Sequence, residues 1–469
     1  MSARLSCDIA VVGAGPAGLA AACAAAGAGA SVICLDQFPD PGGQYAMQPS
    51  QPGSPFARTA AVRGGREAAE AARAAGAELL TGAELFWAAA LPQGGFCLSV
   101  QKDGAALSIT AGRVIAALGA MERPLPFPGW TLPGVIGAGA AQRLLKTGSG
   151  RIPGAGKMVI AGSGPFLLAV AQSCAVAGQP VSDLVEMRRP GLPARLFRAH
   201  PERLPEALRL WRDLRRTGAA RHMGHVVTRA LGGAQLEAVE IAPLDASGRP
   251  DMARQRRIDG VSTLAVGFGF QPVVDMTLAL GARHAFAPEL GGWHCVTDAD
   301  GATTVPGLYA AGETTGIGGA LPARLSGRIA GLSAAGLPVP EAERHALRKA
   351  RDFAARLAGL YPPPAVPPVA LPGDEILCRC EDVRFSDVQA AIAEGAGDAL
   401  SVKLWTRAGM GPCQGRICAA GLQFALASAG VGLQDAGLNR PHLPLRPTPV
   451  AVVRAAMAAQ EELAGEGHT

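Results

Sequence analysis

The chain has 469 residues, 49% hydrophobic and 17% charged, with 62 Gly and 37 Pro. At roughly 100 to 200 residues per domain this supports several buried cores and excludes both a small disulfide scaffold and global disorder. A net charge of +5, without a Lys/Arg run that could track phosphates, excludes nucleic acid as the expected partner. The Ala/Gly-rich stretch after Arg4 is not read as a signal-peptide core, because Asp8 and the glycines at 13, 15 and 18 interrupt it. Leu19 to Leu35 carries too little transfer energy to span a bilayer. The expectation is a soluble protein of a reducing compartment with no transmembrane segment.

In chain order, residues 8–12 form a short apolar run that ends in Gly-Ala-Gly-Pro-Ala-Gly, then an Ala-rich helical stretch to about Ala26, then a second apolar run ending on Asp36. Strand, glycine turn, helix, strand and acid are the shape of a βαβ dinucleotide unit. The shape recurs from Lys157 to Glu186. Return segments follow each unit, at Arg113 and Ser262, and a Pro/Gly-rich crossing from Arg123 to Gly134 reads as a connection between domains. A strand ending in Gly312-Glu313 and an apolar helix over about 323–335 then complete the first domain from a second, discontinuous piece. Tyr361 to Gly373 is proline-rich and reads as an extended linker. Beyond it come four cysteines, two short amphipathic stretches at 385–394 and 417–427, and a tail with a helix over 450–463. The predicted fold class is α/β: two Rossmann-like domains, 1–122 with 275–340 and 123–274; a helix and linker, 341–373; a small, mostly helical domain, 374–430; and a tail, 431–469.

Gly13, Gly15 and Gly18 match GxGxxG in the required context: a tight turn, close approach of a pyrophosphate to backbone, and helix–strand packing. Asp36 lies 23 positions after Gly13, near the spacing of about 20 for an acid that accepts ribose hydroxyls. In the second unit Gly162 and Gly164 are present, but Leu167 stands where the third small residue belongs, so helix and strand are expected farther apart. Glu186 favours a free ribose hydroxyl, hence NAD or another adenine nucleotide, although Arg188 and Arg189 blur that inference.

With Pro41-Gly42-Gly43-Gln44 and Gly312-Glu313 the sequence resembles the two-dinucleotide flavoprotein oxidoreductases. The resemblance implies FAD in the first unit, with Gly42, Gly43 and Gln44 along it and the acid at 313 on its ribityl or phosphate region. That family more often has Asp there. No cysteine pair follows Gln44, and Cys34 falls in an expected buried strand, so disulfide reduction is not predicted. His200, His222, His225, His284 and His294 form no ligand spacing or triad, and the catalytic residues are left unassigned.

Cys378-Arg-Cys380 followed by Cys413-Gln-Gly-Arg-Ile-Cys418 gives C-x-C-x32-C-x4-C. Four thiolates suit an iron–sulfur cluster or zinc; a one-residue pinch fits the zinc tetrahedron poorly. Cys-Arg-Cys-Glu381 and Gly411-Pro-Cys-Gln-Gly-Arg-Ile-Cys418 resemble the bacterioferritin-associated-ferredoxin-like 2Fe-2S domain, which implies Cys378, Cys380, Cys413 and Cys418 as ligands, with Arg379, Lys403, Arg407 and Arg416 offsetting the anionic cluster. This layout, with Glu122 to Gly134 and Pro306 to Gly319, is similar to the A (alpha) subunits of opine oxidase, hydrogen cyanide synthase and proline or hydroxyproline dehydrogenase complexes. The resemblance implies an electron-relaying FAD oxidoreductase subunit of a hetero-oligomeric amine dehydrogenase. Its implied partners are a flavin-dependent amine-oxidase-like subunit and, as a further candidate, a small ferredoxin-like third subunit; its place is cytoplasmic, or peripheral at the inner membrane face through the complex. Two alternatives stand beside it: a self-contained NADH-dependent reductase, and a zinc-held docking element on an inactive scaffold.

Overall fold

The computed structural model describes residues 3–148, 150–191, 194–362 and 369–466; residues 363–368 of the expected linker therefore lie outside the described residues. The first unit runs β1 (Ala3–Val12), α1 (Pro16–Gly27), β2 (Val32–Asp36), α2 (Ala60–Ala74) and β3 (Glu78–Thr81), followed by the meander β4 (Ala83–Ala90), β5 (Phe96–Lys102) and β6 (Ala105–Ala116). The second begins with β7 (Ala120–Glu122) and β8 (Val135–Gly137), then α3 (Ala138–Thr147), β9 (Lys157–Gly162), α4 (Phe166–Ala177) and β10 (Asp183–Glu186). It continues through α5 (Ala194–Ala199), α6 (Leu204–Arg216), β11 (Ala220–Met223), β12 (His225–Leu231), β13 (Ala238–Pro243), β14 (Arg256–Asp259), β15 (Val261–Gly267) and β16 (Phe270–Pro272). The chain then returns through α7 (Asp275–Ala279), β17 (His284–Ala287), β18 (Gly292–Cys295), β19 (Leu308–Ala310), α8 (Ala320–Ala334) and α9 (Glu341–Gly359).

Two parallel arrangements carry the glycine turns. The first sheet has the order β3-β2-β1-β6-β5-β4, and β19 also pairs with β6. One half of β6 pairs antiparallel with β5 while its end pairs parallel with β19, so a single long strand joins the early piece of the domain to the late one. The second sheet, β11-β10-β9-β15-β8, is parallel throughout and carries the antiparallel layer β12-β13-β14 beside it. Both crossings between the sheets run through the ribbon of β7 and β16.

Alanine in α1 has a structural purpose. The helix is buried on most of its faces, and α8 lies against it so closely that a Cβ on Gly327 would fall 2.0 Å from Ala17 O and one on Gly331 would fall 2.4 Å from Ala21 O. Those glycines are four residues apart and so share one face of α8; larger residues on either helix would force the pair apart.

The C-terminal part contains β20 (Ile376–Cys378), β21 (Val383–Arg384), α10 (Phe385–Ala393), α11 (Ala399–Thr406), α12 (Ala419–Ser428) and α13 (Val450–Glu466). Its core is small, built on Leu377, Val388, Val402, Leu422 and Leu426. The segment after α12 is anchored at several points. Ala436 is buried in that core, Leu445 in the core of the first sheet, and Val452 and Ala456 of α13 cover Phe86 and Ala106 on β4 and β6.

Candidate cofactor sites

In the first glycine turn, Gly13 has φ +104° and a Cβ there would meet Ala117 O at 2.3 Å; a Cβ on Gly18 would meet Gly13 O at 1.7 Å. Both positions therefore require glycine. Gly15 faces Gly43, whose own Cβ would fall 2.8 Å from Gly15 Cα, and the Gly42 N–H donates to Ala14 O at 2.8 Å. Two glycine backbones thus oppose each other at the N-terminus of α1, a cradle without side chains of the kind a pyrophosphate needs. Asp36 is buried; Oδ2 accepts from Ala14 N–H at 2.6 Å and Oδ1 from Phe38 N–H at 2.8 Å. Burial pushes its carboxyl upward, and each oxygen keeps a further lone pair for a ribose hydroxyl. Gln44 is exposed beyond the cradle.

Glu313 stands as an acid at a helix start. Its carboxylate accepts from Gly319 N–H at 2.9 Å, with the Gly318 backbone beside it, so it caps the start of α8; burial raises its pKa. The same loop is held by Thr314 Oγ1, which accepts from Leu118 N–H at 3.0 Å, and by Ser326 Oγ, which accepts from Gly312 N–H at 2.9 Å. The end of β6, the 312–319 loop and α8 thereby form one rigid wall of the first site.

The second turn repeats the plan with different parts. Gly162 has φ +137° and a Cβ there would meet Gly267 O at 1.8 Å. Glu186, one methylene longer than Asp36, reaches one residue further along its turn. Oε2 accepts from Gly164 N–H at 3.1 Å and Oε1 from Arg188 N–H at 2.9 Å, and burial pushes its carboxyl up to about 7. Leu167 is fully buried between α4 and β15, with its side chain against Gly267. Here the small residue that accommodates the helix has moved from the helix to the strand. The guanidinium of Arg188 lies 5.5 Å from the Tyr361 ring centroid and donates to Gly191 O, while Arg189 donates to Leu244 O.

The four cysteines lie close together: Cys378 neighbours Cys418, Cys380 neighbours Cys413, and Cys378 and Cys413 are also within electrostatic reach of Cys380 and Cys418. The Cys418 thiol and the amides of Gly409, Glu381 and Cys380 hold Cys378 down at about 6. Among the described residues no three donors converge as a single-metal site; a two-iron cluster would take two thiolates per iron. The turns are shaped for the purpose. A Cβ on Gly411 would fall 2.3 Å from Cys380 Cβ. Of the four non-glycine residues with positive φ among the described residues, Asp382, Arg407 and Gln414 lie here, a concentration of backbone strain typical of a binding site.

Of the cations expected to offset a cluster, three have other partners. Arg379 lies over the Trp130 ring at 5.7 Å, Arg407 pairs with Glu381 at 2.9 Å, and Arg416 Nε pairs with Asp275 at 2.7 Å. Lys403 is buried facing Cys418 and has no carboxylate partner among the described residues. Those partners reveal a docking surface where the sequence suggests a plain connection. In the crossing 123–134, Leu125, Phe127 and Trp130 are buried; Trp130 Nε1 donates to Ile376 O at 2.7 Å and Gly129 N–H donates to Glu375 at 3.0 Å. Phe424 and Ala420 of α12 pack with Leu125, Phe268 and Met187, the last two standing just past the carboxyl ends of β15 and β10.

Sequence reasoning also missed Arg123, half-buried on the ribbon side of this junction with its Nη2 donating to Gly291 O at 2.7 Å; desolvation of the guanidinium pulls its pKa down to about 10. The histidines have structural partners: His200 meets Asp352 at 3.0 Å, His222 meets Asp183 at 2.9 Å, and His284 meets Thr277 at 2.9 Å. His225 and His294 bond nearby carbonyls. Cys34 is buried in β2 and burial pushes its thiol upward. No helix among the described residues is long and apolar enough to cross a membrane.

Residues 7–335 match the family described as pyridine nucleotide-disulphide oxidoreductase, and residues 376–427 match the BFD-like [2Fe-2S] binding domain. The A subunit of opine oxidase from Rhizobium meliloti is 35% identical over 467 residues, covering 94% of this chain and 96% of that protein. The HcnB subunit of hydrogen cyanide synthase from Pseudomonas aeruginosa is 35% identical over 349 residues, 72% of this chain and 74% of the other. Among solved structures, the L-proline dehydrogenase of P. horikoshii superposes with a TM-score of 0.71 at 20% identity, over 97% of this chain and 80% of that one.

Proposed function

The chain belongs to the pyridine nucleotide-disulphide oxidoreductases and carries FAD and a BFD-like [2Fe-2S] domain, and from this we propose that it is the electron-transferring subunit of a heteromeric amino-acid or opine dehydrogenase. In this reading a separate, flavin-dependent amine-oxidase-like subunit oxidises the CH–NH donor, and this chain passes the electrons to an acceptor at the cytoplasmic side. The names of its relatives, subunits of opine oxidase and of hydrogen cyanide synthase, favour a hetero-oligomer. A small ferredoxin-like third subunit is a further partner in this reading.

FAD supplies the ability to take two electrons together and release them singly. The chain's residues do the rest. Gly13, Gly15 and Gly18, with Gly42, Gly43 and Gln44, hold the dinucleotide; Asp36 orients the ribose end; Glu313 fixes the start of α8 at Gly319. Cys378, Cys380, Cys413 and Cys418 hold the cluster. Trp130, Leu125 and the Arg416–Asp275 ion pair keep that module against the flavoprotein.

The observation that carries the relay reading is the position of α12. In doubly wound folds a dinucleotide lies across the carboxyl ends of the strands, and in the second unit that edge is covered by Phe424 and Ala420 packed on Met187 and Phe268. A nicotinamide ring brought there from Gly162, Gly164 and Glu186 would have to displace a buried aromatic. The second site then suits an adenine nucleotide that does not deliver hydride. The self-contained NADH reductase keeps one observation in its favour: a Cβ on Gly164 would meet nothing within 4 Å, so the turn itself admits a phosphate. The test is rapid mixing of the isolated chain with NADH, and separately with proline, hydroxyproline or an opine. The relay reading expects no rapid flavin bleaching until the partner flavoprotein and its substrate are both added; fast bleaching by NADH alone would favour the reductase instead.

A further inference from the structure

The protein contains a single asparagine, Asn439, and it stands in the segment beyond the residues that match the cluster-binding domain. Its side chain is wedged into the loop that carries Cys413 and Cys418. A Cβ on Gly409 would fall 2.6 Å from Asn439 Nδ2, and a Cβ on Gly415 would fall 2.7 Å from the same atom. Those glycines are part of the cysteine framework: the Gly409 amide bonds Cys378, and Gly415 O accepts from Cys418 Sγ at 3.8 Å. Both have positive φ, +89° and +84°, so their lack of a side chain serves the turn and the entry of the asparagine together.

Both polar atoms of this amide are shut off from solvent and have no hydrogen-bond partner among the described residues. An amide buried without partners is costly and rare. The backbone around it is anchored on both sides, since Ala436 O accepts from Ala399 N–H at 2.8 Å and Leu445 N–H donates to Phe86 O at 2.7 Å; the side chain is therefore held in place by more than its own contacts. Nδ2 is the atom lodged in the cysteine-bearing loop, and the sulfurs of a cluster held on Cys378, Cys380, Cys413 and Cys418 would be acceptors suited to its N–H. We propose that Asn439 Nδ2 donates a hydrogen bond to a sulfur of the [2Fe-2S] cluster and is a positioning residue that sets its reduction potential. An N–H aimed at cluster sulfur stabilises the added negative charge of the reduced state, so it raises the potential.

The inference rests on those four cysteines being the ligands, and that premise is checked separately by about two irons and two labile sulfides per chain; zinc without sulfide would remove the premise and leave nothing for Asn439 to tune. Since Asn439 is the sole asparagine, ¹⁵N label in asparagine side chains marks this one group. In the full chain with its cluster reduced, a ¹⁵N hyperfine coupling is expected, and its absence overturns the proposal even if every variant fails to fold. In Asn439→Ala and Asn439→Asp proteins with full iron content, the midpoint potential should fall, with Asp below Ala because it also adds negative charge. The expected size is roughly a tenfold change in the ratio of reduced to oxidised cluster at fixed poise, about 59 mV for one electron. Potentials equal to the parent's, or loss of iron with an unchanged potential in the clusters that remain, would show that Asn439 only packs.

Discussion

The two glycine turns follow one plan and are finished by different neighbours. Each has a glycine pressed on a carbonyl, Gly13 on Ala117 and Gly162 on Gly267, and each has a buried acid holding the turn by a backbone amide, Asp36 through Ala14 and Glu186 through Gly164. The first is then enclosed by Gly43 and by α8, whose start is fixed by Glu313. The second is bordered by Tyr361 on Arg188 and covered by α12. A glycine fingerprint specifies the turn; which ligand chemistry the turn can serve is decided by the elements that later parts of the chain bring across it.

Exchanging the third residue of the fingerprint breaks the comparison most severely. Gly18→Leu would drive a Cβ into Gly13 O, 1.7 Å away, and should give a chain that neither folds stably nor retains FAD, read by flavin absorbance and thermal melting. Leu167→Gly removes a fully buried side chain from the second core. It should cost about 2–5 kcal/mol, as large-to-small core changes do, while the flavin stays bound. Equal flavin loss in both would mean that the two units do not hold separate sites.

Uncovering the second unit sharpens the contrast. Phe424→Ala should destabilise docking of the cluster module by about 3–5 kcal/mol and increase NADH-to-dye turnover through the exposed strand ends, measured by steady-state kinetics beside FAD content. Unchanged turnover with a destabilised module would show that α12 is not what limits access.

The smallest effect concerns the acids. Burial raises Glu186 to about 7 from an ordinary 4.5, so the folded chain holds a proton that the unfolded chain releases. The stability tied to that proton is full below pH 4.5 and is lost as pH rises through about 7. Glu186→Gln should therefore flatten this dependence and be the more stable protein at pH 8, by about 1–3 kcal/mol. Melting curves at pH 5 and pH 8 measure it; a variant less stable by the same amount at both would show that the carboxylate's hydrogen bonds outweigh its burial.

What the sequence made legible was local. The strand–glycine–helix–strand–acid order lies within about thirty residues, and each part restricts the next through chain geometry. The cysteine spacing is similarly short on each side, and residues 376–427 match the BFD-like [2Fe-2S] binding domain. The pairings that finish the sites span the chain. Trp130 meets Ile376, Arg416 meets Asp275, and Tyr361 meets Arg188; no period or spacing encodes such contacts. Arg416 shows the consequence, since its proximity to two cysteines suggested a counter-charge, while the fold engages it in an ion pair with α7. The crossing 123–134 was legible only as a connection for a related reason: proline and glycine mark a turn in the backbone and say nothing of Trp130 finding a partner 246 residues downstream.

The final helix has a mechanical consequence. Because α13 and Leu445 fasten the chain back onto the first sheet, the cysteine module is moored at both ends, unlike a carrier arm that swings on one tether. Release of either mooring leaves the other to return it, since the freed end stays at high effective concentration. In the proposed relay, delivery of electrons by such a module would not wait on diffusion of the domain, and its internal step should proceed at the same rate in glycerol as in dilute buffer, leaving encounter with an external acceptor as the stage that solvent viscosity governs.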